Sequence, residues 1–147
     1  FNTVGPRQTG RYGMVLPRFV EQALRGLPLR VFGDGNQTRC FCHVADTVRA
    51  LVALEAEPRA VGNIFNIGTQ DSISINELAQ QVVAETGSTS TIVHVPYEEA
   101  YEPGFEDMQH RMPDISKLNH LVGWTPRKSL SVIIQEVKDA IKGELGL

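Results

Sequence analysis

Apolar positions along this chain recur with two periods that alternate from one stretch to the next. Between residues 14 and 25, Val15, Leu16, Phe19, Val20, Ala23 and Leu24 fall at helical spacing. Pro17 suits the first turn of that helix, Gly26 stops it and Pro28 bars its continuation. Residues 29–32 then read as a short strand. Asp-Gly within Gly33-Asp34-Gly35 predicts a β-hairpin, with residues 38–44 as the returning strand. Alternation in that strand assigns Arg39, Phe41 and His43 to one face and Thr38, Cys40 and Cys42 to the other. Asp46 is expected to cap a helix reaching about residue 56, buried through Val48, Leu51, Val52 and Leu54.

The same reading extends to both ends. Residues 1–4 look like the end of a strand, turned by Gly5-Pro6, and residues 8–13 form a polar, Gly-containing loop. Residues 63–67 predict another strand, ending at Gly68. Ser74-Ile75-Asn76-Glu77 is a capping box that starts an amphipathic helix ending near Gly87. A strand over 91–95 follows. Residues 96–112 are long, acidic and aromatic with no clear period, as in functional loops. Asp114 is expected to cap a short helix broken by Gly123-Trp124-Thr125-Pro126. Ser129 caps a last helix with Leu130, Ile133, Ile134, Val137 and Ile141 as its stripe. Alternating strands and helices predict an α/β fold, with too few strands for a complete nucleotide-binding sheet. The chain reads as one lobe over 1–147.

Composition narrows the function. A chain of 147 residues with 41% hydrophobic and 21% charged residues makes one globular domain. No apolar run approaches the roughly 20 residues of a membrane span, and no signal peptide is visible. The net charge of −3 argues against a nucleic-acid partner. The first residue is Phe, entering directly into a strand, which suggests a piece of something longer. Cys40 and Cys42 sit one pleat apart, where a bridge is strained; reduced thiols and a cytoplasmic setting are expected.

Candidate chemistry lies in fragments that place Asn or Arg beside strand ends, turns and helix starts. Arg39 leaves the Asp-Gly turn with a planar fork suited to a phosphate pair, or to an ordinary salt bridge. Asn2 can donate to a ligand oxygen or cap its own turn. Arg11 lies in a Gly-flanked loop before a helix whose first backbone N–H groups, near Met14 and Val15, suit an anion. Phe32 can stack on a base or pack in the core. Arg111, held extended before Met112-Pro113, can reach a second phosphate or pair with Glu106 or Asp107. Cys40, Cys42, His43 and Asp46 make a poor zinc set, with Cys42 and His43 on opposite faces. Glu98, Glu99, Glu102, Glu106 and Asp107 read as a solvated lid in preference to a glycosidase carboxylate pair.

In order along the chain, Phe1-Asn2-Thr3-Val4-Gly5-Pro6-Arg7, Val31-Phe32-Gly33-Asp34-Gly35-x-Gln37-Thr38-Arg39-x-Phe41-x-His43-Val44-x-Asp46, Phe65-Asn66-Ile67-Gly68, Pro113-Asp114-Ile115-Ser116-Lys117 and Gly123-Trp124-x-Pro126 form a set. The set resembles the C-terminal half of the extended short-chain dehydrogenase/reductases, and more narrowly the nucleotide-sugar epimerases, dehydratases and decarboxylases. The resemblance implies an NAD-binding Rossmann half elsewhere and a lobe here that binds a nucleoside-diphosphate sugar, most simply a UDP-sugar. It implies substrate contacts from Asn2, Met14, Val15, Phe32, Arg39 and Arg111, with Phe32 at the base and Arg39 at the diphosphate. It implies cofactor contacts from Phe1, Thr3 and Arg11.

The same resemblance implies chemistry at sugar C4 by transient hydride transfer, in an epimerase of UDP-glucose or UDP-glucuronate. The alternatives are a UDP-glucuronate decarboxylase, a dTDP-sugar 4,6-dehydratase and a stand-alone binding module without catalysis. A homodimeric parent is expected. The family's cofactor glycine motif and its Tyr-x-x-x-Lys do not occur in these residues, so no catalytic residue is assigned and the chain alone is expected to be inactive. Val4 stands where many members carry Tyr or Phe. An apolar sheet edge or face is expected to lie open where the Rossmann half would dock.

Overall fold

A computed structural model describes residues 1–8, 14–100 and 108–147. In chain order its elements are β1 (Thr3–Val4), α1 (Val15–Leu24), β2 (Leu29–Phe32), β3 (Thr38–Cys40), β4 (Cys42–His43) and α2 (Val44–Glu55). A 3₁₀ turn at Pro58–Ala60 is followed by β5 (Ser72–Ser74), α3 (Ile75–Thr86), β6 (Ile92–Val95), α4 (Tyr97–Ala100), α5 (Ser116–Val122) and α6 (Leu130–Leu145). The class is α/β, as the alternation predicts.

The strands form three pairs. β1 runs parallel to β4, β2 parallel to β6, and β3 antiparallel to β5. The hairpin expected across Gly33-Asp34-Gly35 is therefore absent: β2 and β3 do not pair. The turn itself forms, with Gly33 and Gly35 at positive φ. Its backbone groups bond to other elements and not to β3. Gly33 N donates to Val95 O, extending the β2–β6 ladder, and Asn76 N donates to Gly35 O at the start of α3. The turn thus hands the chain from one strand pair to another.

The returning strand expected over 38–44 also breaks in two. At Phe41 pairing switches from β5 to β1, so Cys40, Phe41, Cys42 and His43 are all buried and strict alternation is lost. His43, not Asp46, caps α2: its Nδ1 accepts from Ala45 N at 3.0 Å. The other helix signals hold. The Ser74–Glu77 capping box is present, Gly87 closes α3 in the left-handed region, and Ser129 caps α6.

One core lies where α1, α3 and α6 cover the β2–β6 pair. Leu16, Phe19, Val20, Leu29, Val31, Leu78, Val82, Ile133 and Ile134 are buried there. A second cluster joins Cys42, Ala50, Ile115, Leu118 and Trp124. The burial predicted for α2 holds at one of its four positions, Leu54. Ala50 is buried and Leu54 packs on the second cluster, but Val48, Leu51 and Val52 are 51%, 53% and 62% exposed. The strand expected over 63–67 has no ladder among the described residues. It is held by Phe1 N donating to Ile67 O (2.9 Å) and by Lys117 Nζ donating to Ile64 O (3.1 Å). α5 starts at Ser116 with no side-chain cap from its N-cap residue, although Asp114 Oδ1 accepts from Ser116 N at 2.9 Å. No helix among the described residues is long and apolar enough to cross a membrane.

Candidate functional site

The start of α1, the end of β2, β3 and the end of β1 surround a cleft of about 250 Å³. Six positions singled out from the sequence line it together: Asn2, Met14, Val15, Phe32, Arg39 and Arg111. Residues 2 and 111 meet there across most of the chain. Thr3 lines the same cleft. Phe1 lies just outside, its ring 5.1 Å from the Arg111 guanidinium carbon. Arg11, Glu102, Glu106 and Asp107 lie outside the described residues.

Local structure explains each placement. Asn2 adopts a left-handed backbone (φ 43°) at the strand end, a conformation Asn tolerates better than most residues. Its Nδ2 donates to Cys40 O at 3.0 Å and its carbonyl accepts from Cys42 N, which fastens β1 to the β3–β4 break. Arg39 Nη1 donates to Thr38 O and Met108 O, both at 2.7 Å, so the guanidinium is fixed beside the cleft. Thr38 reinforces that seam by donating from its N to Gln109 O and through its hydroxyl's contact with His110 Nδ1.

Phe32 ends β2 with its ring toward the cleft. The Arg18 guanidinium carbon lies 4.5 Å from the ring centroid, a cation–π stack. Gln37 Nε2 donates to Phe32 O and to Tyr97 Oη, and since a carbonyl only accepts, this fixes the amide's orientation. Tyr97 in turn packs against Gly33, where a Cβ would come within 2.2 Å of the ring. Arg18 and Tyr97 are cleft residues that sequence reasoning missed. The signal for Arg18 was available: it lies three residues after Val15, on the same helical face. No comparable signal marks Tyr97, whose place depends on the β2–β6 pairing.

Charge gives the cleft its character. Its described lining holds Arg18, Arg39 and Arg111 and no carboxylate, in a chain of net charge −3. The first turn of α1 opens onto it with no acidic residue, and its N-cap residue Met14 makes no side-chain cap. Three guanidiniums and a helix N-terminus beside an aromatic ring suit an anion joined to a flat, stackable group.

The buried polar residues near β4 serve the fold. His43 Nε2 meets Glu136 Oε2 at 2.9 Å, and Glu136 also pairs with Lys128. Asp46, 3% exposed, accepts from Arg49 Nη2, Arg127 N and Lys128 N, while its own carbonyl accepts from Trp124 Nε1. Burial alone pushes this carboxyl up; the Arg49 hydrogen bond and the two backbone N–H groups outweigh it and hold it below its ordinary value. Burial pushes the Cys40 and Cys42 thiols up, away from thiolate reactivity.

Known proteins resemble this chain in both sequence and fold. The NAD dependent epimerase/dehydratase family matches residues 1–68. A UDP-N-acetyl-alpha-D-glucosaminuronate decarboxylase of Bacillus cytotoxicus is 47% identical over 130 residues, covering 88% of this chain and 40% of the relative. The chain belongs to the NAD-dependent epimerase/dehydratase family of nucleotide-sugar enzymes. UDP-glucuronic acid decarboxylase 4 of Arabidopsis thaliana is 39% identical over 149 residues, covering 98% of the chain and 32% of the relative. Among solved structures, the UDP-glucuronic acid 4-epimerase of Bacillus cereus, in complex with UDP-glucuronic acid and NAD, superposes with a TM-score of 0.85. It is 32% identical, and the match covers 98% of this chain and 44% of that one. The chain thus spans about two fifths of the curated relative first named and less of the second.

Proposed function

We propose that residues 1–147 act as a single substrate-binding lobe, gripping a UDP-sugar for an NAD-dependent enzyme that works at sugar C4. One observation carries the reading: Asn2, Phe32, Arg39 and Arg111 line one cationic cleft although 109 positions separate the first from the last. In this reading the base packs beside the Phe32–Arg18 stack, and Arg39 and Arg111 hold the diphosphate. The α1 N-terminus at Met14 and Val15 adds backbone donors. The sugar then lies toward Asn2, where β1 ends. Relatives whose names specify UDP-uronates support a uronate as the sugar.

The residues present fit only an edge of NAD. Thr3 is exposed at the cleft rim and Phe1 is stacked beneath Arg111, so the two would touch one end of the cofactor; Arg11 is assigned the same side. NAD, when bound, supplies a hydride acceptor. What the chain's own residues contribute is position: two charged clamps and a stacked base fix the sugar relative to β1. No side chain here is assigned a proton transfer, and the 147 residues alone are expected to give no turnover.

A decarboxylase is the second reading. It is favoured by the higher identity to the Bacillus cytotoxicus decarboxylase than to the Bacillus cereus epimerase. Both reactions need the same grip, so the cleft accommodates either; carbon dioxide release from a UDP-uronate by the longer enzyme separates them.

The test is calorimetric titration of UDP and UMP into the chain. UDP is expected to bind more tightly than UMP. A charge-assisted contact is worth about 1.5–3 kcal/mol, so Arg39→Ala should weaken UDP roughly 10- to 100-fold and lessen its salt dependence. Unchanged UDP affinity in Arg39→Ala refutes the diphosphate assignment.

A further inference from the structure

Two amide side chains on the cleft wall carry an acceptor that the fold does not use. Gln8 and Gln37 both line the cleft. In each, Nε2 donates to a backbone carbonyl at 3.1 Å, Thr3 O for Gln8 and Phe32 O for Gln37. A carbonyl only accepts, so both amide orientations are settled and the atom left over is Oε1. Both oxygens are buried, and no donor among the described residues meets either. A buried acceptor in that condition is uncommon, because the hydrogen bonds it gave up to water are not replaced. Two of them on one cleft point to donors that arrive with a ligand.

The two amides serve different ends of the cleft. Gln37 stands at the Phe32 end and Gln8 at the β1 end, with Asn2 and Thr3. A tight turn fixes Gln8: its N donates to Gly5 O at 3.4 Å, with Pro6 second and Arg7 third at φ 66°. This is the type II arrangement, whose third position usually takes Gly or Asn. The side chain then folds back onto β1 through Thr3 O. The residue as a whole is only half-buried, so a small swing of the side chain brings its oxygen to a bound sugar.

We infer that Gln8 Oε1 selects the sugar, by accepting a hydrogen bond from a neutral donor on it: a ring hydroxyl or an acetamido N–H. Assigning the donor to the sugar rests on the proposed function; the unpartnered oxygen does not. In that reading base and ribose lie on the Phe32 side of the diphosphate, and the diphosphate itself offers only acceptors. The sugar alone remains to supply Gln8 with a donor. An ionised uronate carboxylate would meet this oxygen acceptor to acceptor. A uronate bound here is therefore turned with a hydroxyl toward Gln8 and its carboxylate away.

The experiment titrates the 147-residue chain calorimetrically with UDP, UDP-glucose, UDP-N-acetylglucosamine and UDP-glucose analogues in which a single sugar hydroxyl is replaced by fluorine. In wild type one such replacement should weaken binding about 3- to 10-fold relative to UDP-glucose. In Gln8→Met, which removes the acceptor at similar length, the same replacement should cost less than about 2-fold. Gln8→Glu keeps an acceptor oxygen and should restore the cost. Where the donor is the acetamido N–H, UDP-N-acetylglucosamine gains that factor over UDP-glucose in wild type and loses it in Gln8→Met. A purely structural Gln8 would weaken every ligand alike and leave these ratios unchanged between the proteins; that result overturns the inference. So does a wild type that binds UDP yet treats all the sugars alike. A wild type that binds no UDP overturns the cleft reading itself, and this inference with it.

Discussion

Two helices of similar apolar pattern meet opposite fates in this molecule. α1 buries Leu16, Phe19, Val20 and Ala23 completely, because α3, α6 and the β2–β6 pair enclose it on three sides. α2 shows an equally regular stripe, yet three of the four residues predicted to be buried are exposed. The difference is one of neighbours, not of sequence pattern. The part around α1 completes its own core, and it holds most of the cleft wall: Met14, Val15, Arg18 and Phe32. The part around β1 and α2 carries Asn2 and the rim but is covered on one side only. In the proposed reading, grip on the nucleotide thus rests on the part that encloses its own core, while Asn2 and the cleft rim sit beside a helix with one exposed flank.

The largest test of that contrast is a pair of truncations. Phe19→Ala empties a fully buried site and should cost about 3–5 kcal/mol in urea unfolding. Leu51→Ala in the same chain should fall within about 0.5 kcal/mol, as for exposed positions. Comparable losses at the two sites would abolish the distinction between the finished and unfinished halves.

Asp46 probes the link between them, because it fastens α2 to the segment leading into α6. Asp46→Ala leaves Arg127 N, Lys128 N and Arg49 without their shared acceptor and should cost about 3 kcal/mol. The pH dependence has a definite sign. A carboxyl held below its ordinary value of about 3.9 stabilises the fold fully above that value and loses the contribution as pH falls through the lowered one. Unfolding followed from pH 6 downward should thus show an acid-dependent loss that Asp46→Asn reduces. An unchanged acid limb in that variant would remove Asp46 from the link.

A smaller effect is expected at the turn after β2. Gly33→Ala asks a residue at φ 71° to carry a Cβ that Tyr97 blocks, and about 1–2 kcal/mol should be lost along with some UDP affinity. The smallest is Ser74→Ala, which removes one cap of α3 for about 1 kcal/mol and should leave UDP binding untouched. If Ser74→Ala alters UDP affinity as much as Gly33→Ala does, the turn's effect is one of global stability and not of the cleft.

Much of the site was legible before any coordinates. Asn2, Met14, Val15, Phe32, Arg39 and Arg111 each sit at a local signal, such as a strand end, a helix start or a pre-proline position, and all six line the cleft. Arg18 is readable from helical spacing. Tyr97 is not, nor is its hydrogen bond with Gln37. Their contacts cross from the β2–β6 ladder to the turn after β2, and nothing near Tyr97 in sequence announces the glycine it packs on.

The sequence by itself determined the helices, their caps and the turn glycines, because those depend on interactions within a few residues: Ser74 with Glu77, Ser129 with Val132, Gly87 at a helix end. Strand partners and burial were decided only in three dimensions. An Asp-Gly turn can close a hairpin or hand the chain onward, and here Val95 and Asn76 take its backbone groups. A regular apolar stripe says that a helix seeks cover, and α2 demonstrates that it does not say where the cover comes from. Local hydrogen bonds carry their partner in the neighbouring sequence; ladders and cores take theirs from wherever the chain returns.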